Sequence, residues 1–334
     1  YVLGKEVSAF EGEFAAFLNA RCCAGVANGL DALKIAVRLF GIGKGDEVIV
    51  PANTYIATVM GVTDCGATPV FCEPDEYYNI DPDKVEALIT SKTKAVMPVN
   101  LYGQACRLDK IREICDRHGL LLIEDSAQSH GAKCAGRYTN FYADASCFSF
   151  YPTKNFGCFG DGGAIVSDNE KLDADVRVFR NYGSEKRYYN REIGVNSRLD
   201  EIQAGLLRVK LNHAKELQDM RDALAKRYLE GIENPLVALP RLAPECTSVW
   251  HQFVLRVEER EEFIEFLSKH EIGTLIHYPV PPHLSQAYAY LGFKKGDFPI
   301  AESYADTVVS IPFFPGLNNS DADRIISVIN SFRR

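Results

Sequence analysis

The sequence predicts an α/β fold, with a mostly parallel central sheet flanked by helices and a smaller C-terminal α+β domain. Over the first 210 residues, short apolar segments alternate with helical stretches, as in repeated βαβ units. These segments are apolar on both faces, which is typical of a sheet covered on both sides. After residue 233 the order of strands and helices no longer follows this alternation.

The apolar segments predict strands at 47–50, 68–72, 95–99, 120–123, 146–150 and 164–167. Helices are predicted at 29–40, 55–63, 82–89, 108–118 and 170–180, followed by a long helical stretch at 200–231. Residues 234–244 contain three prolines and no periodicity, which indicates a linker. A strand at 248–257 and helices at 259–270 and 320–332 follow. We therefore place a large domain at 1–232 and a small domain at 233–334.

Composition excludes several classes of protein. The net charge of −8 argues against a protein that mainly binds nucleic acid or an acidic membrane. No apolar run reaches the roughly 18 residues of a membrane-spanning helix. The ten cysteines are scattered along a long chain, which favours buried thiols in a cytoplasmic protein over a disulfide framework.

Asp125 follows the predicted strand at 120–123. In open α/β sheets, ligands bind at the carboxyl ends of the strands, so an acid at this position can face a ligand. The alternative is that Asp125 caps the N-terminus of a helix.

Lys154 lies in a glycine-rich loop directly after another predicted strand. A partly desolvated lysine has a lowered pKa and can act as an amine nucleophile. The glycines let the backbone approach a bulky ligand, although their spacing matches neither the phosphate loop nor the dinucleotide fingerprint. The alternative is a solvated surface lysine.

Gly29 opens the first predicted helix, immediately after Asn28. Free N–H groups at a helix start attract phosphate, although simple capping by Asn28 explains the same residues. Together, the lysine, the acid and this helix start fit a site for pyridoxal 5'-phosphate (PLP). Such a site needs a Schiff-base lysine, an acid facing the pyridine nitrogen and a phosphate cup.

Six ordered segments resemble the DegT/DnrJ/EryC1/StrS sugar aminotransferases, which are PLP enzymes of fold type I. The segments cover residues 45–58, 99–104, 121–132, 148–167, 180–184 and 196–207. The resemblance implies that Lys154 holds the cofactor as a Schiff base and that Asp125 pairs with the pyridine nitrogen. It also implies that Gln128 bonds the ring hydroxyl and that Tyr55 stacks on the ring.

The same resemblance assigns the phosphate to Ser149 and to the backbone of Gly29 and Leu30. Asn196 is expected to reach the phosphate of the neighbouring subunit's cofactor, which implies a homodimer with shared active sites. No metal site is expected. His277 and His283 are separated by prolines and have no evident third ligand.

The substrates implied are a sugar nucleotide and glutamate, with Tyr182, Tyr278 and His283 near the sugar nucleotide. Leu30 stands where much of the family has Ser or Thr, as in the subgroup that acts on dTDP-linked 3-keto-6-deoxyhexoses. A 4-keto substrate is one alternative, and a non-catalytic regulatory member is another. The presence of Lys154, Asp125 and Gln128 argues against the second. His130 suggests a Ser–His–Asp hydrolase, but the sequence has no GxSxG nucleophile elbow.

Overall fold

The computed structural model of the protein describes residues 1–333. Its strands are β1 (Cys22–Val26), β2 (Glu47–Pro51), β3 (Thr68–Cys72), β4 (Thr93–Val96), β5 (Leu121–Asp125), β6 (Lys133–Cys134), β7 (Arg137–Tyr138), β8 (Ala145–Ser149), β9 (Gly163–Ser167), β10 (Ser184–Lys186), β11 (Tyr189–Asn190), β12 (Phe253–Arg256) and β13 (Val308–Ile311). Its α-helices are α1 (Lys5–Phe17), α2 (Gly29–Leu39), α3 (Ile56–Thr63), α4 (Pro82–Val85), α5 (Leu108–His118), α6 (Glu170–Phe179), α7 (Glu201–Asn212), α8 (Ala214–Gly231), α9 (Arg260–Lys269), α10 (Pro299–Thr307) and α11 (Asn319–Ser331). Short 3₁₀ helices cover Glu86–Leu88, Leu101–Gly103, Thr139–Tyr142, Pro282–Leu284 and Gln286–Leu291.

The central sheet has seven strands in the order β1-β9-β8-β5-β4-β2-β3. Strands β2, β3, β4, β5 and β8 pair in parallel, whereas β9 runs antiparallel to both β8 and β1. The mostly parallel sheet expected from the sequence is therefore confirmed, with an antiparallel part at one edge. The sequence prediction omitted β1, a five-residue strand that contains a glycine and is therefore a weak strand signal.

Most of the predicted helices are found close to their expected limits. The structure corrects the long helix expected at 200–231, which is two helices, α7 and α8, joined at His213. The strand expected at 248–257 is also shorter, because only β12 pairs with another strand. Helix α1 was not predicted, although Val7, Phe10 and Phe14 recur at helical spacing and are buried.

Alternating side chains of the strands pack on opposite faces of the sheet. Val48 of β2 packs with Leu33 and Val59 from α2 and α3, whereas Ile49 packs with Ile111 of α5 on the other face. Burial on both faces explains why the strands read as continuous apolar segments rather than alternating ones.

A separate core forms around the antiparallel pair β12–β13 and helices α8, α9 and α11. Tyr228 of α8 is fully buried there, and its ring lies 5.1 Å from that of Phe253. The division of the chain into domains 1–232 and 233–334 stays a prediction.

The sheet brings the polar ends of β5 and β8 together. Asp125 is the last residue of β5, and it pairs in register with Cys147 of β8, two residues before Ser149. The loop with Lys154 leaves β8 at the same edge. The carboxyl edge of the parallel strands therefore carries the acid, the hydroxyl and the amine that the sequence singled out.

Phe14 of α1 packs against the end of β8 and the first residue after it. It is fully buried, and its ring lies 5.4 Å from Phe10, 5.2 Å from Phe148 and 5.3 Å from Phe150.

We expect Phe14→Ala to lower the free energy of unfolding of the cofactor-free protein by about 3–5 kcal/mol, because it leaves a cavity among these rings. Phe314→Ala is the control, because Phe314 is 50% exposed, and we expect a loss below about 1 kcal/mol. Urea titration measures both values, and equal losses would contradict the assignment of Phe14 to the core.

Candidate active site

A cavity of about 630 Å³ opens at the carboxyl edge of the central sheet. Eight residues that the sequence singled out line it: Gly29, Leu30, Tyr55, Asp125, Gln128, Ser149, Lys154 and Tyr278. These residues come from separate stretches of the chain, and the parallel sheet assembles them in one place. A cavity of this size is typical of a site for a small ligand or cofactor.

Lys154 is held in a tight turn after β8. Its N–H donates to the carbonyl of Tyr151 at 2.8 Å, and a Cβ on Gly157 would lie 2.2 Å from the carbonyl oxygen of Pro152. Burial lowers the pKa of Lys154 to about 8, although the Asp125 carboxyl acts in the opposite direction. Lys154 therefore offers a neutral, nucleophilic amine nearer physiological pH than an ordinary lysine does.

Asp125 is buried at the end of β5. The Thr58 hydroxyl donates to its Oδ2 at 2.8 Å, and the N–H of Ala127 donates to its Oδ1 at 3.1 Å. Burial raises the pKa of Asp125, while these two hydrogen bonds oppose that shift. A cationic group in the cavity would favour the ionised carboxylate, so the acid suits a ligand with a protonated nitrogen.

Gln128 is oriented by two tyrosines. Its Oε1 accepts from the N–H of Tyr102 at 2.6 Å, and its Nε2 donates to the Tyr278 hydroxyl at 3.1 Å. The ring of Tyr278 lies 5.1 Å from that of Tyr55, tilted by 38°. The amide and the two rings therefore form one connected wall of the cavity.

The start of α2 lies against the end of β8. A Cβ on Gly29 would lie only 2.7 Å from the Cβ of Ser149, so only glycine fits there without a shift. The Asn28 side chain accepts from the N–H of Asp31 at 2.8 Å, which occupies one of the first N–H groups of the helix. Asn28 thus caps the helix, as the simpler interpretation held, and Gly29 and Leu30 still line the cavity at a terminus that favours anions.

Three residues expected near ligands lie elsewhere in this chain. Asn196 is exposed, and Tyr182 is 51% exposed with the Arg198 guanidinium 5.4 Å from its ring. His283 is 1% exposed, its Nε2 lies 3.1 Å from Glu302 Oε1, and its ring packs 4.7 Å from that of Phe298. The structure does not bring His283 to the cavity, because the 3₁₀ helix Pro282–Leu284 turns its ring into the interior.

Sequence reasoning missed several residues that line the cavity, among them Thr58, His251, Gln252 and His277. Burial lowers the pKa of His277 to about 4, and that of His251 well below its usual value, so both rings are neutral. For His277 the sequence favours packing or substrate contact over a metal site, and the structure places it on the cavity wall. No sequence signal marks His251, which reaches the cavity from residues 232–252, the whole connection between α8 and β12 and hereafter the linker.

Asn155 connects the linker to the lysine loop. Its Nδ2 donates to the carbonyl of Val249 at 2.7 Å, so its Oδ1 accepts from Nδ1–H of His251 at 3.0 Å. These two bonds fix the His251 tautomer and place the ring nitrogen Nε2 as an acceptor. The residue next to Lys154 thereby secures the segment that closes this side of the cavity.

Within residues 1–333, no group of three or more His, Cys, Asp or Glu side chains is arranged to hold a metal ion. Nor does any helix there combine the length and apolarity needed to cross a bilayer.

Comparison with known proteins identifies the family. The model of the DegT/DnrJ/EryC1/StrS aminotransferase family matches residues 1–330. The chain belongs to this aminotransferase family. A dTDP-3-amino-3,4,6-trideoxy-alpha-D-glucose transaminase of Streptomyces venezuelae is 47% identical over 99% of this chain and 88% of the relative. A dTDP-3-amino-3,6-dideoxy-alpha-D-galactopyranose transaminase of Aneurinibacillus thermoaerophilus is 48% identical over 99% of this chain and 91% of the relative.

Solved structures confirm the fold expected from the resemblance. The crystal structure of S. venezuelae DesV in complex with a ketimine intermediate has a TM-score of 0.96 and 47% identity, covering 98% of this chain and 89% of that one. Two further solved structures of this fold contain pyridoxamine 5'-phosphate (PMP) in one case and PLP in the other. The protein is therefore a PLP-dependent aminotransferase, and the prediction of enzyme class and cofactor is confirmed.

The residues of the cavity fit PLP. The buried Asp125 suits a protonated ring nitrogen, and Lys154, whose pKa is lowered to about 8, suits an aldehyde. The glycine at the start of α2 leaves room that a Cβ would fill, beside Ser149.

We expect Gly29→Ala to raise the dissociation constant of PLP about tenfold or more, because the new Cβ must displace Ser149. Gly12→Ala is the matched control. Apart from the backbone of its own helix and its chain neighbours, nothing lies within 4 Å of a Cβ at position 12, which is inside α1, so PLP affinity should not change. Fluorescence titration of the cofactor-free proteins measures both constants. Unchanged affinity in Gly29→Ala would show that the phosphate lies elsewhere.

The lowered pKa of Lys154 predicts an unusual pH dependence of its reactivity. The neutral amine is the nucleophile, so its reaction with limiting acetic anhydride should rise with pH and level off above about pH 8. The reactivity of an ordinary lysine keeps rising with pH up to its pKa of about 10.4. The control is Nα-acetyl-lysine in the same tube, because its side-chain amine is free. Mass spectrometry of the cofactor-free protein gives the profile. A profile for Lys154 that coincides with that of the control would contradict the desolvated site.

Proposed function

We propose that this aminotransferase moves an amino group from glutamate to a dTDP-linked 3-keto-6-deoxyhexose, in amino-sugar biosynthesis. The observation that carries the proposal is the desolvated Lys154 amine in one cavity with the buried Asp125. The choice of sugar rests on the two relatives, whose names both specify a dTDP-linked 3-amino sugar. Leu30, in place of Ser or Thr, supports the same subgroup.

Lys154 and Asp125 have different roles toward the cofactor. When bound, PLP supplies an aldehyde that reacts with amines and a ring that accepts electrons. Lys154 holds the cofactor through its Nζ, and the same atom takes up and returns the proton that moves during each half-reaction. Asp125, fixed by Thr58 and by the N–H of Ala127, keeps the ring nitrogen protonated.

The remaining residues orient the ligands. Gln128 directs its amide to the ring hydroxyl and Tyr55 packs on the ring face. Ser149 joins the first N–H groups of α2 at the phosphate, where the terminus of the helix favours negative charge. Tyr278 and His277 line the same cavity and are placed to contact the sugar.

We further propose a homodimer in which Asn196 and Tyr182 serve the active site of the partner copy. In a single chain both lie on an exposed segment outside the cavity. Phe159 is 81% exposed and Ile202 is 72% exposed, and the N–H of Phe159 donates to Gln203 of the same helix as Ile202 at 2.8 Å. An exposed apolar patch of this kind favours burial against another chain.

A cytoplasmic location is also proposed, because all ten cysteines are free thiols.

The substrate proposal is tested by the position of amination. We expect the holoenzyme, glutamate and a panel of dTDP-linked 3-keto and 4-keto sugars to give one product, with nitrogen on C-3. NMR of the purified product identifies the aminated carbon, which a mass alone does not. Lys154→Ala should abolish turnover. Amination at C-4 would replace the 3-keto substrate with the 4-keto alternative, and an active Lys154→Ala protein would refute the catalytic role of the lysine.

Shared active sites predict complementation between two inactive variants. A Lys154→Ala chain still provides Asn196, and an Asn196→Ala chain still provides Lys154, so mixed dimers contain one complete site. We therefore expect activity, measured at limiting PLP, to recover when the two variants are unfolded together and refolded. The control refolds each variant alone, and with shared sites the mixture should exceed the average activity of the two. A mixture no more active than that average would contradict shared sites.

A further inference from the structure

Cys134 and Cys246 face each other across a short antiparallel bridge, between β6 and the linker that precedes β12. The N–H of Ala135 donates to the carbonyl of Glu245 at 2.9 Å, and the N–H of Thr247 donates to the carbonyl of Lys133 at 2.8 Å. These bonds flank the two cysteines and do not join them, so the cysteines form a non-hydrogen-bonded pair. In such pairs the Cα atoms lie about 4.5 Å apart. That separation is within the range that a disulfide spans.

The two thiols also interact before any oxidation. They are 1% and 7% exposed, the Cys246 thiol donates to the carbonyl of Cys106 at 3.5 Å, and the adjacent Cys246 thiol lowers the pKa of Cys134. The Cys134 thiol and burial raise the pKa of Cys246. The Asp109 carboxylate, 3.3 Å from the Cys134 sulfur, opposes thiolate formation there. Cys134 is therefore the better nucleophile of the pair, and Cys246 is the better placed to attack second.

We propose that Cys134 and Cys246 form a reversible redox pair, which hydrogen peroxide converts to an intrachain disulfide. The Cys134 thiolate attacks one peroxide oxygen, the O–O bond breaks and a sulfenic acid forms, with loss of water. Cys246 then attacks the sulfenic sulfur, the S–S bond forms and a second water leaves. The two thiols lose two electrons and two protons in total, and the peroxide takes up both. A thiol reductant reverses the reaction by exchange.

The disulfide would join the linker covalently to β6, beside the active site. Three residues after Cys246, the N–H of Val249 donates to the carbonyl of Gly103 at 2.8 Å, and the carbonyl of Val249 accepts from Asn155, next to Lys154. The bond would also close a long loop of the chain, which restricts the unfolded state. Oxidation is therefore expected to raise the midpoint of thermal unfolding without changing the residues that touch the ligands.

The test oxidises the native holoenzyme with hydrogen peroxide, blocks the remaining thiols after denaturation and maps the peptides by mass spectrometry. We expect a cross-linked peptide containing Cys134 and Cys246, lighter than the sum of its parts by two hydrogen atoms and released by dithiothreitol. Oxidation of both cysteines without a cross-link between them would overturn the proposal. A cross-link from Cys246 to the neighbouring Cys106 would overturn it as well.

Variants separate the disulfide from general oxidative damage. Cys134→Ser and Cys246→Ser should each abolish the cross-link and the oxidant-dependent rise in the unfolding midpoint. Cys115→Ser is the matched control, because Cys115 is equally buried but is not opposite either cysteine, and it should retain both effects. A rise in the midpoint that persists in Cys134→Ser would contradict the proposal. If the serine variants do not fold, the peptide map of the unaltered protein still decides the outcome.

Discussion

Partial burial of Lys154 beside the buried Asp125 is the constraint on which the active site depends. Burial lowers the pKa of Lys154 to about 8 and raises the pKa of Asp125 on the neighbouring strand, because it disfavours the charged form of each group. PLP suits both groups, because its aldehyde reacts with a neutral amine and its protonated ring nitrogen gives the carboxylate a counter-charge.

The backbone forms the part of the site where the phosphate is expected, through close approaches that only glycine permits. A Cβ on Gly29 would lie 2.7 Å from Ser149, and a Cβ on Gly163 of β9 would lie 2.5 Å from the backbone of Asn28. The antiparallel strand β9 therefore contacts the residue that caps α2, and β8 contacts its first turn. These contacts set the distance between the helix start and the strand end where the phosphate is expected. The aromatic cluster around Phe14 supports the same strands from the other side.

The sequence predicted those parts of the site that regular structure positions. Asp125 and Ser149 end neighbouring parallel strands, and Lys154 follows one of them, so strand order alone brings them to one edge. The contributions of His251 and Asn155 were not predictable, because they depend on the linker folding back through contacts between residues far apart in sequence. His283 illustrates the opposite case. The family resemblance implied that His283 lies near the sugar nucleotide, but in this chain aromatic packing and Glu302 hold the ring inside the protein.

The most direct test of this account is to locate the covalent bond between protein and cofactor. Cofactor-free protein is mixed with stoichiometric PLP, reduced with borohydride, digested and mapped by mass spectrometry. We predict one phosphopyridoxyl-lysine, at position 154, and its absence from Lys154→Ala protein that still folds and still binds PLP. Labelling at other lysines alone, or no fixed adduct at all, would contradict the central role of the buried amine.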